Sequence, residues 1–67
     1  MKKISVNLSG HFTSFSLEDE FYDALKIIAK KQNKSIAEII RDIDANTAPE
    51  SNLSSAVRVW VLKTINQ

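Results

Sequence analysis

With 67 residues, no cysteine and a single histidine, the chain has room for one small domain and lacks disulfides, thiolate nucleophiles and cysteine metal sites. Its formal net charge of +1 excludes a strongly basic surface, so any attraction for a polyanion must come from where the charges sit. A domain of this size buries only about 60% of its unfolded surface, and with no covalent staple available, association with a second copy is the expected source of added stability.

Ile4, Val6 and Leu8 alternate with Lys3, Ser5 and Asn7, and after Gly10 a second alternation sets Thr13, Phe15 and Leu17 against Phe12, Ser14 and Ser16. Both stretches read as half-buried strands, over about residues 4–8 and 12–17. Gly10, the only glycine, marks a bend or turn between them, and either a hairpin or one kinked strand fits. From Glu18 the period changes. Phe21, Leu25, Ile28 and Ala29 recur at helical spacing, which predicts a helix over about 18–31 that begins near Ser16 or Leu17. Lys31-Gln32-Asn33-Lys34 breaks that pattern, and Ser35-Ile36-Ala37-Glu38 is a capping box that opens a second helix over about 35–45, with an Ile36, Ile39, Ile40, Ile43 stripe. Asn46-Thr47-Ala48-Pro49-Glu50-Ser51 is a turn-rich linker. The last segment is β-branched at Val57, Val59 and Val61 and is open to a strand reading, but Asn52 to Ser55 supply N-cap groups and favour a helix over about 53–66. As a helix it is apolar on nearly every side, more than one small core covers.

The N-terminus is basic but has no continuous apolar stretch behind it, so neither a signal peptide nor a membrane span is read and the expected compartment is the cytoplasm. His11 beside Gly10 reads as a turn residue, Trp60 as core, and Arg58 and Asp44 as a candidate ion pair between helices. Glu18, Asp19 and Glu20 are consecutive in a first helical turn and do not converge as a catalytic acid-base pair must. With no nucleophile motif, glycine-rich phosphate loop or metal-ligand spacing, the chain is expected to be neither an enzyme nor a cofactor protein.

Gly10-His11-x-Thr13-Ser14-x-x-Leu17-Glu18, the aromatic Phe21, Ile43-Asp44 and Asn52-Leu53-Ser54-Ser55-Ala56-x-Arg58-Val59 occur in order across almost the whole chain. In this set the chain resembles the short ribbon-helix-helix proteins of bacteria and phages, which are predicted to bind DNA. The wider superfamily includes the Arc and methionine repressors, whose paired strands read the major groove. The resemblance implies a mainly α fold with a short β ribbon and an additional C-terminal helix, assembled as an intertwined homodimer on double-stranded DNA. It places Phe15 and Leu17 in the dimer core and turns Phe12, Ser14 and Ser16 toward the bases, and it gives Lys34 and Ser35, at the start of the second helix, the phosphate contacts. Relatives often carry a basic residue where Phe12 stands. A competing arrangement puts Lys3, Ser5 and Asn7 in the groove, since they alternate equally well.

Two functions follow. One is a DNA-binding transcriptional regulator, a repressor or antitoxin-like protein. The other is a protein-interaction or assembly module that keeps the dimer fold and takes a protein partner, favoured by the near-neutral charge and by the acids beside the ribbon.

Overall fold

In the computed structural model, which describes residues 1–48 and 52–67, strands β1 (Lys2–Leu8) and β2 (His11–Leu17) form an antiparallel hairpin followed by three helices. The hairpin settles the choice left open by Gly10. Ser9 (φ 51°) and Gly10 (φ 88°) both have positive φ, as the tight two-residue turns that suit the strand twist require. Asn7 secures the turn by accepting the Gly10 N–H on Oδ1 at 3.2 Å. His11 is therefore not the turn residue: it opens β2, directly across from Leu8.

The strands alternate cleanly. Ile4, Val6, Leu8 and Leu17 are buried, Thr13 and Phe15 are half-buried, and Lys3, Ser5, Asn7, Phe12, Ser14 and Ser16 are exposed. Helix α1 (Asp19–Gln32) starts at the N-cap Glu18, later than the expected Ser16 or Leu17. Those two residues complete β2 instead, with Leu17 fully buried opposite Lys2 and the Ser16 carbonyl tied down by a helix hydroxyl. At its other end α1 stops on Asn33 in the left-handed region (φ 60°), a conformation asparagine tolerates, and Lys34 N–H returns to Ala29 O.

Helix α2 (Ile36–Ala45) begins with the complete capping box: Ser35 Oγ accepts from Glu38 N–H and Glu38 Oε1 accepts from Ser35 N–H, each at 3.1 Å. It buries Ile39, Ile40 and Ile43. Helix α3 (Leu53–Ile65) is capped by Asn52, whose Oδ1 accepts from Ser55 N–H. Of the expected linker, Pro49, Glu50 and Ser51 lie outside the described residues.

The inner face of the hairpin packs on α2 and α3, and α1 packs against both helices, so a single chain builds one core from Leu17, Leu25, Ile39, Ile40, Val57 and Val61, each at most 1% exposed, with the inward residues of β1 around them. Helix α3 supplies Val57 and Val61 to that core and leaves Val59, Leu62 and Ile65 more than half exposed. Trp60, expected as core, is only half-buried and lines an open groove with Ile43, Asn46 and Thr47. Among the described residues no helix is long and apolar enough to cross a membrane.

Candidate nucleic-acid interface

The register pairs Lys3 with Ser16, Ser5 with Ser14 and Asn7 with Phe12. All six side chains are exposed and, by the period of two, share the outer face of the hairpin. The two arrangements that compete in the sequence are therefore one surface, three residues from each strand.

In an antiparallel ladder alternate residues turn their N–H and C=O groups to the partner strand and the others turn them away. Asn7 O accepts from Arg41 Nε at 3.2 Å and Ser16 O accepts from Ser54 Oγ at 2.7 Å, so helices hold both outer edges of the ribbon. Arg41 escapes a reading by motif because nothing in the sequence ties it to residue 7, 34 positions away. Its guanidinium brings positive charge to the hairpin tip. Arg58 Nη1 donates to Ser54 Oγ at 3.0 Å and to Glu18 Oε1 at 3.3 Å, fastening α3 to the joint between β2 and α1. The expected Arg58–Asp44 pair does not form, because α3 packs beside the end of β2 and presents Arg58 to Glu18.

At the start of α2, Ser35 Oγ accepts from Glu38 N–H and the Glu38 carboxylate accepts from Ser35 N–H, so the capping box already engages these two N–H groups. Lys34 Nζ pairs with Asp42 Oδ2 at 3.3 Å, an exposed contact of little energetic weight that a phosphate can replace. The sequence-predicted residues thus fall into two sets: Phe12, Ser14 and Ser16 together on the ribbon face, and Lys34 and Ser35 at the helix start. Among the described residues there is no group of three or more His, Asp or Glu that could hold a metal.

A family model described as a ribbon-helix-helix domain matches residues 1–65. The chain belongs to the ribbon-helix-helix family. Proteins with a ribbon-helix-helix domain are in general DNA-binding regulators, typically non-enzymatic, that bind DNA as dimers. No curated protein and no solved structure matches the chain. The match covers both strands of the ribbon and all three helices.

Proposed function

We propose that this ribbon-helix-helix domain is a DNA-binding transcriptional regulator, a repressor or antitoxin-like protein, that acts as a homodimer and inserts its β ribbon into the major groove. The observation that carries this reading is the outer hairpin face, where Lys3, Ser5, Asn7, Phe12, Ser14 and Ser16 are presented with no helix over them. No strand lies beyond β2 among the described residues, so beyond Ser16 O, which Ser54 Oγ holds, β2 offers an edge for the same strand of a second copy. Ser14 and Ser16 supply hydroxyls that donate or accept at several base edges, and Phe12 supplies an apolar contact. Lys34 and Ser35 at the start of α2, and Arg41 beside the hairpin tip, supply the phosphate contacts. Such a protein works in the cytoplasm, where the DNA is.

A fluorescence-anisotropy titration on a random-sequence duplex at low salt tests this. Saturable binding that weakens linearly in log-log form with salt is expected. The second reading, a protein-interaction module, draws on the net charge of +1 and on the pairing of Lys34 with Asp42, both of which reduce attraction for phosphate. Absence of binding to any duplex at low salt would select it.

A further inference from the structure

The hairpin tip carries a donor and an apolar ring side by side. Phe12 is 80% exposed, more than any other large hydrophobic side chain among the described residues. Its cross-strand neighbour is Asn7. Because the Asn7 carbonyl is directed away from β2 to Arg41, this is a pair without ladder hydrogen bonds, the kind whose side chains stand closest. The Gly10 N–H can only donate, so it fixes Oδ1 as the amide atom turned into the turn. Asn7 Nδ2 has no partner among the described residues. The tip therefore offers exposed hydrogen-bond donors with no acceptor among the described residues, beside an apolar ring, and Asn7 is held at its side chain by the turn bond and at its carbonyl by Arg41.

Resting on the DNA-binding reading, we propose that the Asn7–Phe12 pair is a thymine-specific reading head, with Asn7 Nδ2 donating to thymine O4 and Phe12 packing on the C5 methyl. Thymine alone among the four bases presents an acceptor beside a methyl group in the major groove. Guanine offers acceptors without a methyl. Cytosine presents its amino donor to the Asn7 donor. Adenine pairs a donor with its acceptor, and an asparagine whose Oδ1 is turned to the Gly10 N–H does not present both amide atoms to it side by side. The usual asparagine preference for adenine is thus removed by the turn bond to Gly10 N–H.

The test starts from duplexes enriched out of a random pool by the wild-type chain, with each thymine then replaced by uracil, which keeps O4 and loses the methyl. Positions are expected where uracil weakens wild-type binding about fourfold per site, the worth of one buried methyl. Phe12→Ala should show no uracil penalty, binding the thymine and uracil forms of each duplex alike. Asn7→Asp keeps an oxygen for the Gly10 N–H and turns an acceptor outward, so its preference should pass from thymine to 5-methylcytosine, which has a methyl and an amino donor. Duplex binding with no uracil penalty, or a penalty that persists in Phe12→Ala, overturns the thymine assignment and leaves DNA binding standing. No binding to any duplex at low salt overturns the DNA reading and this assignment with it.

Discussion

Gly10 and Ser9 set the hairpin. A Cβ at Gly10 would meet nothing within 4 Å, yet its φ of 88° is one that side-chain-bearing residues rarely adopt. Gly10→Ala is therefore expected to cost about 1–2 kcal/mol through backbone strain alone, measured as a lower denaturation midpoint with an unchanged m-value. The phase of β2 makes an opposite pair of expectations for neighbouring residues. Ser14→Ala removes an exposed hydroxyl and should leave stability within about 0.5 kcal/mol, while weakening any sequence preference by up to about 1–3 kcal/mol if the hydroxyl meets a base. Leu17→Ala empties a fully buried site and should cost about 2–5 kcal/mol. Equal stability of the Leu17→Ala and parent proteins would mean that the inward face is wrong. The alternation behind this phase and the break at Gly10 are plain in the sequence; the choice of a hairpin over a kinked strand is not, because Ser9 is an uncommon residue for positive φ and only the accepted Gly10 N–H identifies Asn7 as the turn's support.

Helix starts and strand edges were unequally legible for a physical reason. The capping box at Ser35 and the Asn52 cap are local, written within four residues, and both occur. The bonds from Arg41 to Asn7 O and from Ser54 to Ser16 O join residues 34 and 38 apart, and no local pattern encodes them. Ser35→Ala should cost about 1 kcal/mol for the lost cap, read from thermal or denaturant unfolding. Arg58→Ala should lower stability by no more than about 1 kcal/mol, since its ion pair with Glu18 is partly solvated. Its loss should show instead as faster amide exchange at Ser16 and Leu17, where α3 braces the ribbon. Lys34→Glu should weaken binding to all duplexes alike and flatten the log-log salt dependence by roughly one unit per subunit. An unchanged slope would mean that the start of α2 faces away from the phosphates.

A single chain closes its own core through the hairpin and α3, which the small size and the over-apolar last segment did not foretell. Those features pointed only to a partner. The two observations are compatible, because Val59, Leu62 and Ile65 remain exposed on α3 and β2 keeps an unpaired edge. Dimer mass by light scattering at micromolar concentration, with a melting temperature that rises with protein concentration, is expected if folding and association are linked. Trp60→Ala should cost less than a fully buried aromatic would, about 1–3 kcal/mol, given its half-exposed position beside the α2–α3 groove. DNA recognition by the outer ribbon face is tested most directly by titrating a duplex into the isotopically labelled chain and following the backbone amides by NMR. Shifts concentrated at Lys3, Ser5, Asn7, Phe12, Ser14 and Ser16, with a weaker set near Lys34 and Ser35, are the expected result; shifts confined to α3 around Val59, Leu62 and Ile65, with the ribbon amides unmoved, would contradict it.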